Sequence, residues 1–206
     1  NAVQQLNSRI EGTLRIATSA SRSTPIVQQY LPAFSMKYPS VHFEIYEGLM
    51  TNVVTQLING SAELGIANIQ MVDINKFDIL LTQEEHLYAI FRRDVFWTDR
   101  EHDTITWEDI KKCPLSLSGG SVRMIMQSSL TDMEQLNAVA ITTTKSSAIE
   151  WASSGRTVSL VPMDAKELIN HRKMARIKLP EFSGDFKKAF ITLKGHALSP
   201  VAQQFI

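Results

Sequence analysis

Two short polar turns hold the residues of this chain that could do chemistry. The first carries Thr18, Ser19, Ser21, Arg22, Ser23 and Thr24; the second reads Ser118-Gly119-Gly120-Ser121, with Arg123 just beyond. Each stands where an apolar strand-like run hands over to a helix-like one. Hydroxyls and backbone N–H groups at such a point sit at the positive end of a helix and would hold an anionic group, most simply a carboxylate. A plainer alternative stays open at both turns: the serines only cap their helices and the arginines are solvated.

Catalysis finds little to work with. There is no G-x-S-x-G elbow, no H-E-x-x-H and no P-loop. His42, His86, His102, His171 and His196 are scattered, and Glu84-Glu85-His86 reads as a solvated charge cluster. Ser121 follows two glycines, but a nucleophile needs a base and the sequence places none. No enzyme activity, metal or cofactor is expected. The one cysteine, Cys113, precedes Pro114 and a short apolar run, so it reads as a buried structural thiol. Trp97, Trp107, Trp151, Met124 and Met126 read as core residues.

Composition narrows the class further. Hydrophobic content is 44% and charged content 20%, as in an ordinary folded protein. Lys plus Arg and Asp plus Glu stand at 21 each. A neutral chain is a poor nucleic-acid binder on its own. No apolar run approaches the roughly 18 residues of a membrane span. The start, NAVQQLNSRIEG, lacks the apolar stretch of a signal peptide. A mature secreted form whose signal has been removed stays open.

The elements that must position the two turns follow from periodicity. A strand is predicted over Leu14 to Ala17. A helix is predicted to open at Ser23-Thr24-Pro25, with Ile26, Val27, Tyr30, Leu31 and Phe34 at helical spacing. Pro32 removes one of its hydrogen bonds and predicts a kink near Gln28. Tyr38-Pro39 ends it. The next strand, Val41 to Tyr46, alternates Val41, Phe43 and Ile45 against His42, Glu44 and Tyr46, so one face is polar or meets a partner. Val53, Val54, Leu57 and Ile58 stripe a second helix ended by Gly60, and Leu64 to Ile69 is a third strand.

The second half repeats this logic. Strands are predicted at Leu87 to Phe91, Leu115 to Leu117, Val139 to Thr142, Val158 to Val161, Ile177 to Leu179 and Ala189 to Leu193. Helices are predicted at Trp107 to Lys112, after Ser118-Gly119-Gly120-Ser121, at Ser146 to Ser153, after Pro162-Met163-Asp164, and from Ser199-Pro200. With 206 residues the chain has room for two small lobes. The class is α/β: two lobes facing each other across a cleft, with crossings near His86 to Arg93 and Phe190 to Lys194.

Several of these stretches together resemble the effector-binding domain of the LysR-type transcriptional regulators. They are Gly12-x-Leu14-Arg15-Ile16, Leu31-Pro32-x-Phe34, Tyr38-Pro39-x-Val41, Glu47-Gly48 and Leu57-x-x-Gly60-x-x-Glu63-Leu64-Gly65-Ile66-Ala67. Weaker matches follow at Leu87-Tyr88, Trp107-x-Asp109-Ile110 and Gly155-x-x-Val158-x-Leu160-Val161-Pro162. The chain departs from the family at Glu63, where Asp is usual, and at Thr157, where a second glycine is usual.

The resemblance implies a fold like the type II periplasmic binding proteins, with two Rossmann-like lobes joined by two crossing strands. The expected layout is a linker end at 1–11 from a missing N-terminal DNA-binding domain, lobe I at 12–85 completed by 194–206, and lobe II at 86–193. It also implies a small-molecule effector in the cleft that alters oligomer conformation and so controls DNA binding; the two polar turns suit a carboxylate. The contacts expected are Thr18, Ser19, Ser21, Arg22, Ser118, Gly119, Gly120, Ser121 and Arg123. Ser147 and Glu150 join them on a helix that lines the cleft in this family. Homodimers or homotetramers are expected, the first helix and second strand of one subunit against the second lobe of another. DNA contact would belong to the missing domain, in the cytoplasm and away from membranes. The alternative is the solute-binding protein of a transporter, with a like fold.

Overall fold

The computed structural model describes residues 10–101, 104–167, 169, 173–182 and 186–206. The expected linker lies almost wholly outside the described residues, as do His102 and His171. The chain divides into two compact units, Asn1–Gln83 with Lys187–Ile206, and Glu84–Phe186.

The first unit is built on a five-stranded sheet in the order β2-β1-β3-β10-β4. These strands are β1 (Gly12–Ser19), β2 (Val41–Gly48), β3 (Leu64–Asn68), β4 (Phe77–Glu84) and β10 (Lys187–Leu193). β1 runs parallel to β2 and β3, while β10 is antiparallel to β3. Central β3 is buried throughout, as a strand covered on both faces must be. Edge strand β2 keeps the expected alternation: Val41 is buried, Phe43 and Ile45 are half-buried, His42 and Glu44 are exposed. β4 went unforeseen, because Gln83-Glu84 looks like a charged loop. Its exposure pattern is that of an edge strand.

Helix α1 starts earlier than its serine-proline signal suggests. It runs as α-helix over Ala20–Pro25, widens into a π segment over Ile26–Tyr30, and returns to α over Leu31–Lys37. Ser19, not Ser23, stands at its N-cap, and Pro25 lies inside it. Pro25 and Pro32 each lack an N–H. Between them the ladder slips by one residue, and the Leu31 N–H donates to the Ile26 carbonyl. The expected kink near Gln28 is taken up in this way.

Helix α2 (Met50–Ile58) buries Val53 and Leu57 against the other sheet face, while Ile58 stays 52% exposed. Gly65 lets it approach: a Cβ there would stand 2.6 Å from Leu57 Cδ1. The closing helix, α6 (Pro200–Phe205), is tied back to the sheet by Glu63. Its carboxylate accepts from the Ser199 N–H at 2.9 Å and the Ser199 hydroxyl at 3.0 Å.

The second unit has the sheet order β7-β6-β8-β5-β9. Its strands are β5 (His86–Arg92), β6 (Leu115–Ser118), β7 (Ala138–Thr142), β8 (Val158–Met163) and β9 (Met174–Lys178). β6 is parallel to β7 and β8, and β5 is antiparallel to β8 and β9. Helices α3 (Trp107–Ile110), α4 (Gly119–Ser128) and α5 (Lys145–Ser153) accompany them. Pro162 and Met163 extend β8, and much of the helical segment expected after Asp164 lies outside the described residues. β10 belongs to the first sheet, so the return falls at Lys187 and not at 194. Its apolar run could pair in either sheet, and sequence alone does not name the partner.

Trp107 and Met124 are core residues as expected, with Trp97 packed against them. Met126 and Trp151 are not: they stand 67% and 40% exposed. Cys113 is half-buried with its Sγ 3.6 Å from the Asp109 carbonyl. Burial pushes its thiol pKa up, which makes it a poor thiolate.

Candidate effector site

β1 delivers Thr18 and Ser19 to the point where α1 begins. Thr18 is fully buried, and its hydroxyl donates to the Ser19 carbonyl at 3.2 Å. Ser19 occupies the N-cap position yet makes no side-chain cap bond. Its Oγ is closed to solvent and has no hydrogen-bond partner among the described residues. An N-cap serine normally spends this oxygen on the first-turn amides. Here that oxygen is not spent on the cap. Ser21 and Arg22 follow, both half-buried.

β6 delivers the second turn in the opposite condition. The Ser118 N–H donates to Ser121 Oγ at 2.7 Å, the Ser121 N–H donates to Ser118 Oγ at 3.2 Å, and the Ser121 hydroxyl donates to the Ser118 carbonyl at 2.7 Å. Both serines are buried. This is a reciprocal capping box with serine in the usual Glu or Gln place. The plainer reading of these hydroxyls describes what they do. What the turn offers outward is backbone: the amides of Gly119 and Gly120 lie in the first helical turn, without intrahelical acceptors. A Cβ at Gly119 would meet nothing within 4 Å, whereas one at Gly120 would stand 2.8 Å from Pro162 Cγ. Arg123 lies one turn on, half-buried.

Ser147 and Glu150 lie on α5 and are both exposed. Thr144 caps that helix, taking the Ser147 N–H at 3.2 Å. The Glu150 carboxylate accepts from the Ser153 hydroxyl at 3.1 Å. Thr157, where the family usually has glycine, is fully buried. Its hydroxyl donates to Ser116 Oγ at 3.0 Å, and Ser116 donates to the Ala148 carbonyl at 2.9 Å. The extra side chain is thus absorbed inside the second unit, between β8, β6 and α5.

Sequence reasoning missed a buried ion pair beside the second turn. Lys145 and Glu167 pair with side chains 3% and 5% exposed. Lys145 also donates to the Pro162 carbonyl at 3.3 Å, the residue against which Gly120 packs. One signal was available: a cation in the first turn of a helix opposes the helix dipole and calls for an anion. Among the described residues, no group of three His, Cys, Asp or Glu could hold a metal ion.

The sequence model of the family described as LysR substrate binding domain matches residues 7–206. No curated protein matches the chain. Three solved structures illustrate its structural likenesses. Full-length CbnR in complex with its target DNA is 16% identical at a TM-score of 0.69, over 94% of this chain and 67% of that one. The effector binding domain of QuiR in complex with shikimate is 14% identical at 0.68, over 95% and 94%. HinK, a LysR family transcriptional regulator from Pseudomonas aeruginosa, is 17% identical at 0.68, over 95% and 68%. At these identities the likeness is one of fold.

Proposed function

The chain belongs to the LysR substrate binding domain family, the effector-binding part of LysR-type transcriptional regulators, and we propose that its effector is a small anionic metabolite, most simply a carboxylate, bound without catalysis. The carrying observation is Ser19: a hydroxyl closed to solvent with no hydrogen-bond partner among the described residues, at the N-terminus of α1. Thr18, Ser21 and Arg22 accompany it. The second unit contributes the Gly119 and Gly120 amides with Arg123, and Ser147 and Glu150 orient polar groups of the ligand. Ser118 and Ser121 hold their turn in shape. QuiR, of like fold, is seen with shikimate, a hydroxylated carboxylate, which fits this chemistry.

In this reading the effector binds one conformation of an oligomer better than another and shifts the population between them. DNA is contacted through a separate N-terminal domain, in the cytoplasm. Among the described residues no helix is long and apolar enough to cross a membrane. The oligomer is a homodimer or homotetramer. Edge strand β7 supports this with Val139 and Ile141 turned outward, 47% and 62% exposed.

A thermal-shift screen against metabolites tests the proposal. A ligand at a hundredfold its dissociation constant adds about 2.7 kcal/mol. Carboxylates are expected to raise the melting temperature of the parent chain and to lose that effect in Ser19→Ala. A screen in which only neutral or cationic compounds shift the melt would overturn it.

A further inference from the structure

Behind the Gly119-Gly120 turn the second unit buries two charges. Lys145 stands in the first turn of α5, and its ammonium group pairs with the Glu167 carboxylate. Both residues are buried. The stretch that carries Glu167 is itself pinned. The Arg176 guanidinium, on β9, donates to the carbonyls of Glu167 and Ala165, the latter at 3.0 Å. It also lies over the Tyr88 ring, 5.4 Å from the centroid. The Asp164 carboxylate accepts from the Lys166 N–H at 2.8 Å. Glu167 is thus a fixed post to which Lys145 is moored.

A buried ion pair seldom stabilises a fold more than apolar side chains of the same volume, since both charges must leave water. What it does supply is direction, because each charge holds the other in one place. Here the direction leads to the turn. Lys145 also donates to the Pro162 carbonyl at 3.3 Å. The Pro162 ring stands so near Gly120 that a Cβ there would lie 2.8 Å from its Cγ. Glu167, Lys145, Pro162 and Gly120 therefore form one line of contacts inside the second unit. The ammonium and the carboxylate cancel, so the line adds no net charge.

We propose that Lys145 is a positioning residue for the second turn. Its pair with Glu167 fixes the end of β8, and the Pro162 ring then sets the direction of the Gly119 and Gly120 amides toward an anion. This rests on the reading of that turn as part of the effector site. Direction matters because a hydrogen bond weakens steeply as the donor leaves the line to its acceptor. Lys145 acts through Pro162 and not by contact with the anion.

The test uses the whole chain and the double variant Lys145→Met with Glu167→Leu, which removes both charges and leaves the net charge as it was. Inorganic sulfate is titrated into each, followed by the amide resonances of Gly119 and Gly120. In the parent chain both resonances are expected to move saturably. In the double variant they are expected to stand displaced before any sulfate is added, at a urea midpoint close to the parent's. Its sulfate affinity falls by about threefold to tenfold, as for one misdirected hydrogen bond, with the salt dependence unchanged. Should the double variant fail to fold, Pro162→Ala carries the test: it takes away the ring, keeps the carbonyl for Lys145, and is expected to displace the same two amides. Parental resonances and parental affinity in these variants overturn the proposal. So does a displacement equally large at the indole N–H of Trp107, in the core of the unit, which assigns the effect to general loosening. A parent chain whose Gly119 and Gly120 ignore sulfate overturns the anion reading of the turn instead, and the resonances without sulfate still decide whether the pair positions it.

Discussion

Single side chains divide the work of the two polar turns unevenly. Ser118 and Ser121 spend their hydroxyls on each other's backbone, whereas Ser19 spends its hydroxyl on nothing described. Ser121→Ala is therefore expected to lose roughly 1–3 kcal/mol of stability, and Ser19→Ala to stay within about 0.5 kcal/mol. Urea unfolding of the two variants separates them, and equal losses would contradict the division. Lys145 belongs to the same scale. Lys145→Met leaves Glu167 charged and buried, and is expected to cost about 3–5 kcal/mol. Adding Glu167→Leu removes the stranded charge and is expected to recover most of the loss. A double variant no more stable than the single one would show that the pair is not what holds this corner. Residue types and positions at both turns were legible in the sequence. Which hydroxyl was spent was not, because that depends on rotamer and burial, which Ser19 and Ser121 do not reveal by being serines.

Elements were legible where pattern and punctuation agreed. The alternation of β2, the stripe of α2 and the serine-proline start of α6 all carried through. β4 failed because an edge strand exposes much of its length and so loses its period-two signal. The start of α1 failed because Pro25 suggested a first turn that the chain had already passed. Helix α3 was foreseen as a helix, and the structure adds a capping box between Thr106 and Asp109. Asp109 accepts from the Thr106 N–H at 3.0 Å and lies 3.1 Å from Arg100 Nη1. The Arg100 guanidinium, then the Thr106 bonds, hold its carboxyl well below the usual range. A depressed folded pKa stabilises above the unfolded value near 3.9, and that contribution fades as pH falls toward the folded one. Asp109→Asn should thus lower the urea midpoint at pH 7, with the deficit closing as pH falls below about 4. A deficit unchanged in acid would place the effect in packing.

On the scale of the whole molecule, the two-unit plan was readable because strand-turn-helix units recur along the chain. The return point was not, since Ala-Phe-Ile-Thr-Leu at 189–193 suits either sheet equally well. Oligomer formation belongs here as well. An edge strand that turns Val139 and Ile141 to solvent carries no charge or proline on that stretch to discourage pairing. If the chain forms the proposed homodimer through this edge, Ile141→Glu is expected to shift its sedimentation equilibrium toward monomer. If the two sediment alike, the dimer contact lies elsewhere.

The late return of β10 also has a consequence during synthesis. β10 is an interior strand, seated between β3 and β4, yet it is made after the entire second unit. Until residue 193 leaves the ribosome, β3 presents an unpaired edge, and both its faces are apolar. The second unit is contiguous and can close first. Any nascent chain that stalls before Lys187 therefore carries a finished half beside a sheet with a sticky, open side. That makes the growing chain a natural client for a chaperone until β10 fills the gap.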